Sequence, residues 1–133
     1  MSAADRFRAA VREHDVARAA QELAEDVQLY NPSAAEPVTG RAAVTGTLTG
    51  LGSTFDEFEH VGVLRTDHPD EDERIAETQA VMFRARIGEH IWHGLDVLEV
   101  SRDDQIVTFT VYARPLSALR ALGEAIAVKR GDA

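Results

Sequence analysis

Residues 74–114 leave a folding chain few choices. Three runs, RIAETQAVMFRARI (74–87), HIWHGLDVLEV (90–100) and IVTFTVYAR (106–114), alternate in character and are rich in β-branched and aromatic residues. That is the two-residue period of a strand. Only Gly88–Glu89 separates the first two runs, and only SRDDQ the second and third. Connections this short join antiparallel neighbours, since a parallel crossover needs a dozen residues or more. FEHVGVLR (58–65) reads as a further strand. It is followed by DHPDEDE (67–73), an acidic, proline-containing connection expected to be exposed.

Strand parity divides 91–100 into two faces. One carries Trp92, Gly94, Asp96, Leu98 and Val100; the other carries Ile91, His93, Leu95, Val97 and Glu99. Both are apolar, whereas an antiparallel sheet with one face in water shows a polar side. Helices on one face and a second subunit on the other are therefore expected.

The first third of the chain is helical in pattern. Phe7, Ala10 and Val11, then Val16, Ala19, Ala20 and Leu23, recur every three or four residues, with a break near His14 and Asp15 as the cap of a second helix. VQLY (27–30) reads as a short strand ending at Asn31–Pro32, and SAAEPVTG as a loop. Thr39 is a plausible N-cap for a third helix, RAAVTGTLTGL, whose glycines and threonines make it weak by propensity. Pro115 ends the last strand, LSALRALGEAIAVKR reads as a C-terminal helix, and GDA as a frayed tail. Segregated helices and an antiparallel sheet define the fold class as α+β, and 133 residues suit one domain, 1–133.

Composition excludes several functions. The formal net charge of −9, from 23 acidic and 14 basic side chains, argues against nucleic acid and anionic lipid as partners. No cysteine is available as a nucleophile, no apolar stretch approaches a membrane span, and the N-terminus lacks the apolar region of a secretory signal, so a cytoplasmic location is expected. His90 and His93, three apart on a strand, face opposite sides and cannot chelate together; no metal and no cofactor are expected. No GxSxG elbow or phosphate-binding glycine loop occurs.

Asp96 stands out, because a carboxylate among apolar neighbours is costly unless paired, hydrogen-bonded or wet. Arg114 shares its strand parity with Tyr112, Thr110 and Thr108, a more polar face than Val107, Phe109, Val111 and Ala113. It could clamp an oxygen of a ligand, or form an ion pair with Asp96 that would lower the aspartate's pKa. Trp92 shares the parity of Asp96; with Met82 and Phe58 it is a lining or core residue, and His60 is the histidine most suited to a pocket.

VQLYNP (27–32), PVTGRAAV (37–44), HGLDVLEV (93–100) and IVTFTVYARPLSAL (106–119), together with the element order, resemble the nuclear transport factor 2-like superfamily, specifically its small SnoaL-like members. The resemblance implies a curved, mixed but mostly antiparallel sheet wrapped as a cone round three to four helices, with an internal pocket and usually a homodimer. Gly94-Leu95-Asp96 matches a strand pattern that in SnoaL-like cyclases carries an inward general acid/base. A tyrosine near Tyr30 in related enzymes bonds a substrate oxygen or water. The resemblance thus implies a catalytic set of Asp96, Tyr30 and Arg114. Trp92, Met82, Phe58, His60, Tyr112 and Asn31 would meet a small apolar molecule. Asp103–Asp104–Gln105 departs from the Asp-Gly hairpin common in the family. The superfamily holds isomerases, cyclases, dehydratases, hydrolases and plain binders, so fold does not fix function. Three functions stand open: a cofactor-independent enzyme acting on an apolar carbonyl substrate, a non-catalytic binder, and a protein-interaction module using the outer sheet face.

Overall fold

The computed structural model describes residues 1–67 and 74–130. The acidic connection, apart from Asp67, and the GDA tail lie outside the described residues.

The chain opens with α1 (Ala3–Arg12), fixed by a capping box: the Asp5 N–H donates to Ser2 Oγ and the Ser2 N–H to the Asp5 carboxylate. α1 buries Ala3, Ala4, Phe7 and Ala10, and Phe7 meets Phe109 edge-on at 5.7 Å. His14 turns the chain with φ 57°, and the Asp15 carboxylate accepts the Arg18 N–H at the start of α2 (Val16–Ala20). Leu23, expected on this helix, instead opens β1 (Leu23–Tyr30). It pairs with Ile106, and the Ile106 N–H donates to the Glu22 carbonyl, so pairing across the chain overrides the local helical spacing.

A short strand, β2 (Val38–Thr39), forms within the expected loop and pairs with β1. Its pairing engages Thr39, so Gly40, at φ 97°, is the N-cap of α3 (Arg41–Thr54) in place of Thr39. Among the described residues no side chain caps this helix. Thr45, Thr47, Thr49 and Thr54 return their hydroxyls to carbonyls four residues earlier. Val44 anchors α3 in the core.

Then come β3 (Glu57–Asp67), β4 (Ile75–Ile87), β5 (His90–Ser101), β6 (Ile106–Arg114) and α4 (Leu116–Arg130). Among the described residues the sheet has six strands, ordered β2-β1-β6-β5-β4-β3, with only β1 and β6 parallel. It is an α+β, mostly antiparallel sheet curled around the helices without closing, the expected cone. A bulge between His60 and Gly62 shifts the register of β3 against β4.

The core falls into two clusters. The larger joins α1, α2 and β1 to Val81, Leu98, Val100, Ile106 and Phe109; the smaller gathers Phe83, Ala85, Trp92 and Ala118, with Phe55, Phe58 and Leu119 against them. Val111 packs against both, which places the boundary between the clusters at its level.

Candidate acid/base site

Residues directly opposite one another in adjacent strands share a face, so the register reads out the inner wall row by row. One row is Trp92–Ala85–Phe58. The next is Ala113–Gly94–Phe83–His60, then Val111–Asp96–Val81–Val63, then Phe109–Leu98–Gln79–Arg65. Asp96 therefore faces the inside of the cone with valines at both flanks, at the boundary between the two core clusters.

The Asp96 carboxyl has no hydrogen-bond or ion-pair partner among the described residues. The residue keeps some solvent contact but is surrounded by protein, and this desolvation pushes its pKa up to about 7. Close to neutrality such a group is present both as acid and as base, the condition for proton transfer in either direction.

Gly94, on the same face, is closely covered. A Cβ at Gly94 would overlap the Tyr112 carbonyl oxygen and stand 2.5 Å from Phe83 Cζ. The Phe83 ring thus lies over Gly94 and stacks on Phe58 at 5.3 Å. Trp92 meets Phe55 edge-on and is 2% exposed. Its Nε1–H is buried without an acceptor among the described residues, a donor turned into an apolar environment.

His60, half-buried, meets the Phe58 ring at 5.4 Å. Burial, then the positive charges of Arg8 and Arg12, lower its pKa to about 4, so it is neutral at pH 7. Nearby, α1 docks on the sheet through a polar network. Arg8 Nε donates to Gln79 Oε1 at 3.0 Å, Gln79 Nε2 to Asp5 at 3.0 Å, and Arg65 Nη2 to Asp5 at 2.6 Å. Gln79, fully buried, is the network's hub on β4. Burial alone would raise the Asp5 pKa. The Ser2 N–H, Gln79, Arg8 and Arg65 outweigh that and hold it well below the usual carboxylate range.

The remaining predicted residues lie elsewhere. Tyr30 pairs with Thr110 on the outer face and donates to Gln28 Oε1 at 3.1 Å. Arg114 is exposed opposite His93, and Tyr112 is exposed opposite Leu95. The structure does not bring Tyr30 or Arg114 together with Asp96, and Asp96 and Arg114 form no ion pair. Met82 sits between Leu95 and Gly62 on the outer face, with its terminal methyl against Gly62. Asn31 follows β1, where its carbonyl accepts the Ala34 N–H in a turn. Trp92, Phe58 and His60 share the inner face with Asp96. Reading the sequence missed Phe83, Gln79, Arg8 and Arg12. The four-residue spacing of the two arginines was the available signal for a shared helix face.

A shallow surface cleft of about 340 Å³ is lined by His14, Asp56, Glu57, Phe58, Glu59, Arg84 and Ala85, and Asp96 is not part of it. No group of three or more His, Asp or Glu among the described residues is placed to hold a metal ion, and no described helix is long and apolar enough to cross a membrane.

The model of the SnoaL-like domain matches residues 4–109, most of the chain. The chain belongs to the SnoaL-like domain family. Among solved structures, this SnoaL-like domain is similar to a steroid delta-isomerase from Pseudomonas aeruginosa, at 26% identity and a TM-score of 0.83, covering 97% of this chain and 89% of that one. It is also similar to a conserved bacterial protein with a cystatin-like fold from Silicibacter pomeroyi DSS-3, at 26% identity and a TM-score of 0.79 over 96% of this chain and 84% of that one. An NTF2-like protein from Burkholderia pseudomallei K96243 shares the fold at 14% identity, with a TM-score of 0.64 over 90% of this chain and 94% of that one. No curated protein matches the chain.

Proposed function

We propose that this SnoaL-like domain is a cofactor-independent isomerase or cyclase that moves a proton on a small apolar carbonyl compound, with Asp96 as the acid/base. The observation that carries the reading is the Asp96 carboxyl: inward, unpartnered, among valines, with its pKa near 7. The likeness to a steroid delta-isomerase supports the same class of chemistry. In such a step the ionised carboxylate removes a proton from the carbon next to the carbonyl, giving an enolate, and the resulting acid returns the proton at a second carbon. The negative charge passes from the carboxylate to the enolate and back as the proton moves, so the apolar wall never holds two charges at once. Trp92 Nε1–H, buried without an acceptor among the described residues, lies four residues along the same strand face, about 13 Å from Asp96 in backbone terms, and has no role in this step. Phe58 and Phe83 supply an apolar plate. Tyr30 and Arg114, on the other side of the sheet, have no part in this step.

The test is turnover of a β,γ-unsaturated ketosteroid, followed by ultraviolet absorbance of the conjugated product. Asp96→Asn is expected to lower kcat by about 10²–10⁴-fold, whereas Tyr30→Phe leaves it within twofold. Unchanged turnover in Asp96→Asn would remove this residue from the mechanism. Absence of turnover with bound ligand would favour a binder.

A homodimer through the outer face is part of the same proposal. Tyr112, Leu95 and Met82 form one outer row, and Leu64 lies opposite Ala80 in the next. Leu64 is 63% exposed, Tyr112 58% and Val61 57%, an apolar patch of the kind that subunits cover.

A further inference from the structure

The long helices α1, α3 and α4 all pack inside the cone, but they are held there in different ways. α1 is tied by polar contacts from its N-cap onward. Ser2 Oγ donates to Glu77 at 3.1 Å, the Ala3 N–H to Asp104 at 2.8 Å, and Arg8 Nε to Gln79 at 3.0 Å. α3 is tied at both ends. At its start the Gly40 N–H donates to the Val27 carbonyl and Arg41 Nε to the Leu23 carbonyl. Just past its end the Asp56 N–H donates to the Arg86 carbonyl.

α4 has no such ties. From Leu116 to Ile126 none of its side chains makes a hydrogen bond or ion pair with another described residue. Apolar packing alone holds it. Ala118 is buried against Phe83, Ala85 and Trp92, and Leu119 and Leu122 lie half-buried on the same cluster. Those partners belong to the two inner rows next to Asp96, Trp92–Ala85–Phe58 and Ala113–Gly94–Phe83–His60.

Two features weaken the closed arrangement. The Trp92 Nε1–H, buried in this cluster without an acceptor among the described residues, forgoes a hydrogen bond that water would supply. Gly123 sits inside α4 with nothing within 4 Å of its Cβ position, so it lowers helix propensity and adds no packing. A free helix of 15 residues is marginal in water, so α4 loses its order once it detaches. Asp96 meanwhile lines neither the cleft at His14 and Phe58 nor the one at Arg102 and Val107. A ring-sized ligand reaches it when a covering element moves, and α4 is the cover with the fewest contacts to break.

We propose that α4 is a lid. It detaches from the inner wall while α1, α3 and the sheet stay folded, uncovers Trp92 and Phe83, and opens the rows that lead to Asp96. This deepens the reading of the cone as a ligand site and rests on that reading for the purpose of the opening. The opening itself needs no ligand.

The test is native-state hydrogen exchange of the full chain, followed by NMR at pH 7 in increasing, sub-denaturing urea. Trp92 is the chain's one tryptophan, so its indole N–H is identified without assignment. The α4 amides and the Trp92 indole are expected to exchange through one opening. After correction for intrinsic rates it is at least tenfold faster than exchange at the centres of β5 and β6, and its urea slope is smaller. Gly123→Ala slows the α4 amides and the indole together by about fivefold. Leu122→Ala speeds both together by about tenfold. If Leu122→Ala does not fold, Gly123→Ala carries the test by itself. Indole exchange at the rate of the β5 centre overturns the lid, because Trp92 is then uncovered only by global unfolding. A response of the α4 amides without the indole also overturns it, since that is fraying of the helix. Indole exchange that follows the α1 amides assigns the opening to α1 and overturns it too. No substrate enters this measurement, so failure of the lid is read separately from failure of Asp96 as acid/base, which the turnover of Asp96→Asn decides.

Discussion

Asp96 and His60 are perturbed in opposite senses within one cone, and their effects on stability oppose each other. Between about pH 4 and 7 the folded chain retains a proton on Asp96 that the unfolded chain releases, so stability falls as pH rises through that window. Between its ordinary 6.5 and about 4, His60 refuses a proton that the unfolded chain accepts, so stability falls as pH drops. The two slopes offset each other across roughly pH 4–6.5. Asp96→Asn therefore exposes the histidine slope and loses stability on acidification. His60→Gln exposes the aspartate slope and gains stability, each by up to about 1 kcal/mol per pH unit. Urea unfolding at pH 4.5, 5.5 and 6.5 measures both; parallel profiles for the two variants would contradict the assignment. Gly94 is the other residue with a strict local demand. Gly94→Ala pushes against a backbone carbonyl that cannot retreat and against the Phe83 ring, at a cost of about 3 kcal/mol in urea unfolding. Gly123, with nothing near its Cβ position, should tolerate the same change within about 1 kcal/mol.

At the scale of elements, α1 is held by charge as well as by its apolar stripe. Asp5 alone receives Ser2, Arg8, Arg65 and Gln79. Asp5→Ala leaves Gln79 and two arginines short of an acceptor and should lower stability by about 3 kcal/mol at pH 7, measured as a shift in urea midpoint. Because the Asp5 pKa is lowered, its contribution is full above the ordinary carboxylate range and fades as pH falls below it, so the variant and wild type converge in acid. Elements of this kind were partly legible in the sequence. The long strands followed from alternation over 75–87, 90–101 and 106–114, because burial of one face enforces the period. β2 and the start of β1 were not, since two residues at 38–39 and LAED at 23–26 carry little pattern of their own and become strands by pairing. The inward face of Asp96 was readable from parity with Trp92 and Leu98. The outward side of Tyr30 and Arg114 depended on the register of β6 against β1 and β5, which a single sequence does not state.

For the whole molecule, the outer face and the cone interior make separate demands on the same strands. Leu95 and Met82 point out while Asp96 and Val81 point in, so each strand is apolar twice over. If two copies cover the outer face, Leu64→Glu places a charge in the contact and shifts sedimentation from dimer to monomer at micromolar concentration, leaving turnover at Asp96 within a fewfold. A wild-type chain that sediments as a monomer would contradict the dimer. The cone's chemistry rests on a narrower point, that Asp96 is an unpaired, desolvated acid. The direct measurement is the side-chain carboxyl ¹³C shift of Asp96 followed from pH 3 to 9, its resonance assigned by loss in Asp96→Asn. An inflection near pH 7 is the expected result. An inflection near 3.8, the ordinary value for this side chain, would mean a solvated or paired carboxylate and would contradict the acid/base site.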